Sequence, residues 1–350
     1  MKRIRTSTKA RDNRLIKLLK RIVLVLFILF LCVVIAGVGA FEYLKIQGKN
    51  ASQGIAVGDT YSEIIEYDGK KYKYNENMVS VAFLGIDQNE LVELGEKDFA
   101  GASDAMMVVA IDTKTKKARV IALPREIMTE MNTFYEGSEE IRSQETHQLY
   151  LAYSYGGGGE LSCRNAVETI SRVLYGVNIP YYYALDLDGI SALNDAIGGV
   201  VLKPKCDIPS IDVQKDKVTT LKGKASETYV RTRDGVRAEG SLERLDRQVQ
   251  YVESFVSQVA PAIMTDITKL YSLYNVGAQY SKTNLDSSDA AYLASLLMSG
   301  GSVTFDTYTI DGEMTTYEDE ALENTSHAAF YPNEDSLMQT VLDVFYIRIG

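Results

Sequence analysis

The sequence predicts an α/β protein: a single α-β-α layered domain with a mixed central sheet, preceded by one N-terminal transmembrane helix. Three observations carry that reading. Near-continuous apolar runs at 79–86 and 105–111 read as strands covered on both faces. Segments of helical period recur between such runs and supply the cover. Ahead of both, Ile22 to Phe41 forms twenty consecutive residues without a charge, enough to cross a hydrocarbon core of about 30 Å.

Residues 1–21 carry nine Lys/Arg (Lys2, Arg3, Arg5, Lys9, Arg11, Arg14, Lys17, Lys20 and Arg21) against the single acid Asp12. The positive-inside rule then makes them a cytoplasmic basic tail, 22–41 a transmembrane anchor, and everything after it extracellular. A cleaved signal peptide is the alternative, kept open by the small residues Ala36, Gly37, Gly39 and Ala40. The chain has a formal charge of -10, and without the tail it carries about -18, which argues against nonspecific nucleic-acid binding. Of the three cysteines, Cys32 lies in the span, so only Cys163 and Cys206 are left to pair outside, and no zinc spacing exists. His147 and His327 are far apart in sequence with no second ligand nearby, which fits solvated or hydrogen-bonded roles.

Residues 42–77 are polar and rich in Tyr, Lys and Gly, and read as an extracellular stalk with a short hairpin around Tyr67-Asp-Gly-Lys70. Residues 78–350 read as one domain. Strands are expected at 79–87, 105–112, 118–123, 181–186, 199–203, 226–233 and 303–309. Helices are expected at 160–174, 188–197, 241–259, 266–274, 287–298 and 333–345. The glycine run 156–159 reads equally as an anion-binding loop and as a plain linker.

Candidate chemistry lies in acids and arginines at element ends. Asp87 follows the first strand of the domain and Asp104 precedes the second; if those ends adjoin, the two carboxylates suit a hard divalent ion such as magnesium, while a solvated cap is the plainer reading. Arg125 stands at the end of the third strand. Arg231 and Arg233 have strand spacing, which points both guanidiniums to one face, and Arg244 and Gln248 lie one helical turn apart. Ser241 reads as an N-cap, placing Arg244 in the first turn, where an anion is favoured and a cation alone is not. Guanidinium forks of this kind match phosphate oxygens, and a structural ion-pair network is the alternative.

Read in order, several segments resemble the LytR-CpsA-Psr family: Phe83-Leu-Gly-Ile-Asp87, Ala102 to Asp112, Ile121-Ala-Leu-Pro-Arg125, Ala152 to Gly157, Tyr181 to Gly189, Ala196 to Val200, Tyr229-Val-Arg-Thr-Arg233 and Arg244-x-x-Arg-Gln248. The similarity covers roughly residues 78 to 345. It implies an extracellular, magnesium-assisted phosphotransferase that moves a glycopolymer, of teichoic acid or capsular polysaccharide type, from a polyprenyl-pyrophosphate carrier to a peptidoglycan sugar hydroxyl through a phosphodiester. By motif, the resemblance implies that Asp87 and Asp104 bind the ion or orient the attack, that Arg125, Arg231, Arg233 and Arg244 hold the pyrophosphate, and that Gln248 supports them there; on chemical grounds Asp104 is the candidate acceptor of the sugar hydroxyl proton. It also implies that the lipid enters an apolar slot between sheet and helices.

Departures from the family pattern are Glu126 where Asp is usual, Gln148 and Tyr150 where Lys and Asn are common, a missing Arg after Asp87, and Ser241 near the place of an Asp. Two other functions stay open on the same residues: a non-catalytic binder of lipid-linked wall precursors that regulates envelope assembly, and a polyprenyl-pyrophosphate hydrolase. Transcriptional regulation is disfavoured because a basic tail of about 21 residues is too short for a DNA-binding domain.

Overall fold

The structure, a computed structural model, describes residues 42–47, 49, 64–96, 100–233, 240–266, 268–298, 305–319 and 325–350. The tail at 1–21 and the anchor expected at 22–41 lie outside the described residues, among which no helix is long and apolar enough to cross a membrane.

The first half of the chain forms β1 (Ile65–Tyr67), β2 (Lys70–Tyr74), β3 (Met78–Ile86), β4 (Ser103–Asp112), β5 (Ala118–Leu123), β6 (Met128–Phe134), β7 (Ile141–Gln148), α1 (Leu151–Tyr155), α2 (Gly159–Val173), β8 (Tyr181–Leu185) and α3 (Leu187–Ala196). The second half forms β9 (Val200–Leu202), β10 (Thr219–Leu221), α4 (Lys224–Arg231), α5 (Gly240–Thr265), α6 (Thr268–Gly277), β11 (Ser281–Thr283), α7 (Ser287–Met298), β12 (Phe305–Thr309), β13 (Gly312–Asp319), β14 (Thr325–Pro332), α8 (Glu334–Phe345) and β15 (Tyr346–Arg348).

The central sheet has six strands in the order β11-β8-β3-β4-β5-β12. It is mixed: β3 pairs β8 and β5 pairs β12 in parallel, while β3–β4, β4–β5 and β8–β11 are antiparallel. Alternation along the strands divides the apolar residues between the two faces. Ala82, Leu84, Ile86, Met106, Val108 and Ile121 pack in the same core as Ala166 and Ile170 of α2 and Val341 and Phe345 of α8. Val79, Val81, Met107, Val109 and Val120 share the opposite core with Leu245 and Val249 of α5 and Tyr292 of α7. Each such side chain contributes about 1.5–3 kcal/mol by burial, and covering both faces produces the α-β-α layering.

The hairpin expected near Tyr67 forms, with Asp68 (φ 49) and Gly69 (φ 67) both at positive φ as a type I′ turn requires. The outer edge of β2 pairs β15, so this part of the 42–77 segment is packed against the C-terminal strand, with Tyr72 and Tyr74 buried.

The strand expected at 226–233 is instead a helix, α4, ending at Arg231. Its buried residues Ser226, Glu227, Tyr229 and Val230 follow helical spacing, and Arg231 Nη1 donates to Glu227 Oε1 at 2.9 Å, one turn back. The β-rich look of Tyr229-Val230 is therefore overridden by the period of the buried stripe. Two hairpins, β6–β7 and β13–β14, are not legible in the sequence because β7 and β13 are largely polar and the apolar residues of β14 are consecutive rather than alternating. Cys163 is buried and Cys206 half-buried; both are free thiols.

At the start of α3, the Asp186 carboxylate caps the helix by accepting from the Gly189 N–H at 2.8 Å. Burial pushes its pKa up to about 6, outweighing that hydrogen bond, and Asp188 adds to the rise. A carboxyl with a raised pKa destabilises the fold once it ionises, so the cost is absent below the ordinary carboxylate range and complete above about pH 6. Asp186→Asn keeps the cap acceptor and removes the charge. Relative to this variant, the wild type is expected to lose on the order of 2 kcal/mol between about pH 4 and pH 7, read by urea unfolding at both values; a pH-independent difference would contradict this account.

Candidate functional site

Three strand ends meet at one edge of the sheet. Because β3 and β5 both run antiparallel to β4, the end of β3, the start of β4 and the end of β5 lie side by side. Asp87 follows β3 and its N–H donates to the Ala102 carbonyl at 2.9 Å, which sets it beside Asp104 near the start of β4. Arg125 leaves β5 after Pro124. Gly85 permits the close approach of these strands: a Cβ there would meet the Ala105 Cβ at 3.0 Å.

Helices α4 and α5 bring the other arginines to the same edge. Asp104 is the junction, its Oδ1 ion-paired with Arg125 Nη1 and its Oδ2 accepting from Arg244 Nη1 at 3.2 Å. Arg125 is held further by Glu126, with Nε to Oε1 at 2.8 Å, and its Cζ lies 4.9 Å from the centroid of the Tyr150 ring. Farther out, Arg231 Nη2 donates to Asp87 Oδ1 at 3.1 Å. The pairs run from buried to wet: the Arg244 side chain is 5% exposed, whereas Arg231 and Asp87 are 49% and 43% exposed.

The electrostatics of the two inner guanidiniums differ. Burial alone would lower Arg125, but Asp104 and Glu126 outweigh it and its pKa is raised. Burial drives Arg244 down to about 10; Asp104 opposes that fall, while Arg125 and Arg233 reinforce it. Arg244 Nε is moreover buried without a hydrogen-bond partner among the described residues. A desolvated guanidinium among other cations, with a spare donor, is a site that an anion stabilises.

Directly below these groups lies a cavity of about 380 Å³. Asp87, Asp104, Arg231, Arg244 and Gln248 form its polar end. Apart from Glu253, the rest is largely apolar, with Phe83, Met107, Val109 and Val120 on the sheet side and Val252, Phe255 and Val256 of α5 opposite. The arrangement accommodates a molecule with a multiply charged oxyanion head and a hydrocarbon tail.

Asp87, Asp104, Arg125, Arg231 and Arg244 are thus brought together, directly ion-paired through the two aspartates. Arg233 lies exposed two residues beyond α4, outside the cavity lining but near enough to act on Arg244. The strand expected to carry both is absent: Arg231 is the last residue of α4 and lines the cavity, whereas Arg233 lies past the C-cap Thr232. Gln248 borders the cavity, yet its Nε2 donates to the Val230 carbonyl at 3.2 Å. Arg247 is buried, with Nε donating to the Tyr229 carbonyl at 3.4 Å and Nη2 to the Thr232 carbonyl. Together Arg247 and Gln248 satisfy the open carbonyls at the C-terminus of α4 and so fix where Arg231 emerges.

One sequence expectation fails here, and one of two open readings is set aside. Helix α5 begins at Gly240, so Ser241 lies inside it rather than at its N-cap, and Arg244 sits beyond the first turn, without the free backbone N–H groups expected beside it. The glycine run is not an anion loop: the N–H of Gly159 donates to the Val92 carbonyl at 2.8 Å and that of Gly158 to Ser162 Oγ at 2.8 Å. Gly158 (φ 118) is required by packing, since a Cβ there would lie 2.5 Å from the Glu93 carbonyl oxygen. Glu227 and Tyr150 are contacts of the site that sequence reasoning did not place, although Tyr150 stood out as a departure from the family pattern. Glu227 and Arg231 have the i, i+4 spacing of a helical ion pair, a signal visible only once the stretch is read as a helix, whereas nothing in the chain links Tyr150 to Arg125.

Among the described residues no group of three or more His, Cys, Asp or Glu could hold a metal by itself. Two carboxylates at adjoining strand ends do fit magnesium, which takes one or two protein carboxylates and completes its shell with phosphate oxygens and water.

Residues 43–340 match the family model of the LytR_cpsA_psr family. The chain is 26% identical over 309 residues to the polyisoprenyl-teichoic acid–peptidoglycan teichoic acid transferase TagV of Bacillus subtilis (strain 168), spanning 85% of this chain and 71% of that protein. It is 28% identical over 289 residues to the transferase TagT of the same organism, with 78% of this chain and 80% of that protein covered. In three dimensions it resembles the crystal structure of B. subtilis TagV, with a TM-score of 0.60 and 23% identity over 76% of this chain and 98% of that one. A structure of TagT bound to LI-WTA superposes with a TM-score of 0.56 and 20% identity, covering 81% and 95% of the two chains.

Because Arg247 is buried against backbone carbonyls, Arg247→Met should lower unfolding stability by about 2–4 kcal/mol. Gln248→Leu should cost about 1–2 kcal/mol for the single amide bond. Chemical denaturation of both variants checks this, and a wild-type midpoint for Arg247→Met would remove the assigned role.

Proposed function

The chain belongs to the LytR_cpsA_psr family, and from that premise we propose that it is a membrane-anchored phosphotransferase acting outside the cell. It moves a glycopolymer from a polyprenyl-pyrophosphate carrier to a peptidoglycan sugar hydroxyl, leaving a phosphodiester link. The observation that carries this reading is the buried Arg244, with its spare Nε and lowered pKa, beside Arg231 and two aspartates at the polar end of a largely apolar cavity, with Arg125 paired to Asp104 just outside the lining.

In this reading the diphosphate replaces the carboxylates as partner of the guanidiniums, and the isoprenoid lies between β3–β5 and α5. Arg125, Arg231 and Arg244 contact phosphate oxygens, Arg233 contributes charge from the rim, and Gln248 acts by holding the end of α4. The acceptor hydroxyl oxygen bonds to the phosphorus nearer the glycopolymer, the bridging P–O bond to the lipid side breaks, and polyprenyl monophosphate leaves. Asp104, released from its guanidinium partners, accepts the hydroxyl proton. Asp87 and Asp104 are the residues that would hold a magnesium ion, which when bound neutralises charge on the phosphate oxygens. Phosphoryl transfer needs positioning and charge neutralisation more than covalent chemistry, and preorganised arginines in a partly desolvated site supply both.

The full chain in detergent, given a lipid-pyrophosphate-linked glycopolymer, peptidoglycan fragments and magnesium, should form the glycopolymer–peptidoglycan conjugate. Arg125→Ala, Arg244→Ala and Asp104→Ala should each reduce transfer about 10²-fold or more while retaining a folded circular dichroism spectrum. Donor binding without transfer or hydrolysis would replace this reading with that of a regulatory binder. Release of polymer phosphate into water at the same rate with and without acceptor would replace it with that of a hydrolase.

A further inference from the structure

We infer that Tyr150 is a positioning residue that sets the orientation of the Arg125 guanidinium, and so the affinity and reactivity of the site toward the donor diphosphate. The inference rests on the phosphotransferase reading and adds to it a residue that no motif supplies. Three contacts converge on Tyr150. Its N–H donates to the Arg125 carbonyl at 3.1 Å; its own carbonyl accepts from the Ser103 N–H at 3.2 Å and from Ser103 Oγ at 3.3 Å; and its ring lies under the Arg125 guanidinium at 4.9 Å. Ser103 immediately precedes Asp104, so the backbone of Tyr150 joins the two segments that carry Asp104 and Arg125.

The geometry around Arg125 gives the ring a specific task. Nη1 of the guanidinium is taken by Asp104 and Nε by Glu126, and Cζ lies over the Tyr150 ring. Those contacts leave a limited set of directions in which the fork can meet a phosphate. When a diphosphate draws the guanidinium away from Asp104, that restraint weakens and the ring still holds the group, because attraction to a π face does not compete for N–H donors. Tyr150 is anchored for this purpose, half-buried against the main core at the junction of β7 and α1.

Two consequences follow. The ring is needed and the hydroxyl is not, and the ring acts through Arg125 alone. Steady-state transfer by the full chain should therefore be within about threefold of wild type in Tyr150→Phe. In Tyr150→Met, which roughly preserves bulk without a ring, kcat/KM for the donor should fall about 5- to 30-fold, the range that loss of a partly desolvated cation–π contact corresponds to. In an Arg125→Ala background, which has no cation over the ring, Tyr150→Met should cause less than a twofold further loss in residual transfer. Calorimetric binding of geranylgeranyl pyrophosphate should weaken in parallel in Tyr150→Met and not in Tyr150→Phe.

A lower melting temperature with unchanged kcat/KM and unchanged diphosphate binding in Tyr150→Met would show a packing role only and overturn the inference, as would full additivity with Arg125→Ala. If Tyr150→Met does not fold, Tyr150→Leu and Tyr150→Trp take its place, the former expected to lose activity and the latter to keep it. Absence of transfer by the wild type overturns the phosphotransferase reading itself, and the inference with it; an active wild type with an unaffected ring variant overturns the inference alone.

Discussion

The site is organised by one carboxylate. Asp104 has each oxygen on a different arginine, Arg125 from the sheet and Arg244 from α5, and it thereby ties the edge of the sheet to the helix that covers it. Such a triad contributes little to net stability, because desolvating three charges cancels much of their attraction, and its worth lies in placement. Removing Asp104 would leave two guanidiniums side by side with one of them buried, so the aspartate is also what lets the arginines coexist before a substrate binds. The lowered pKa of Arg244 reflects how narrow that balance is.

A second layer holds the first in place without touching the site's oxyanion space. Arg247 and Gln248 close the end of α4 through its carbonyls, and Tyr150 links Ser103 to Arg125 by backbone and ring. One long helix serves both functions: α5 carries Arg244 at the polar end of the cavity and Val252, Phe255 and Val256 along its apolar length. Charge recognition and lipid accommodation are thus built into a single rigid element.

The legibility of the chain followed the physics of each signal. Strands buried on both faces were readable from apolar runs, and the residues at their ends, Asp87, Asp104 and Arg125, could be singled out before any coordinates. Helix α4 reads as a strand from sequence because eight residues with two β-branched side chains and one aromatic carry too little local signal to decide between periods. The hairpins β6–β7 and β13–β14 escaped notice because β7, β13 and β14 have no apolar alternation to reveal them. The glycines at 156–159 were ambiguous because a positive φ serves an anion nest and a tight crossing alike, and only the neighbouring 92–94 backbone shows which applies.

By itself the sequence determined the α/β layering, the central strands and their helical cover, and the residue types able to meet a diphosphate. Those properties arise from period and composition, which are local. Tertiary structure alone decided that Asp104 bridges Arg125 and Arg244, that Arg247 faces carbonyls, that Tyr150 stacks on Arg125, and that the cavity lies beneath them. These contacts join residues up to 140 positions apart, and their partners depend on strand register and helix docking, which no short stretch of the chain encodes.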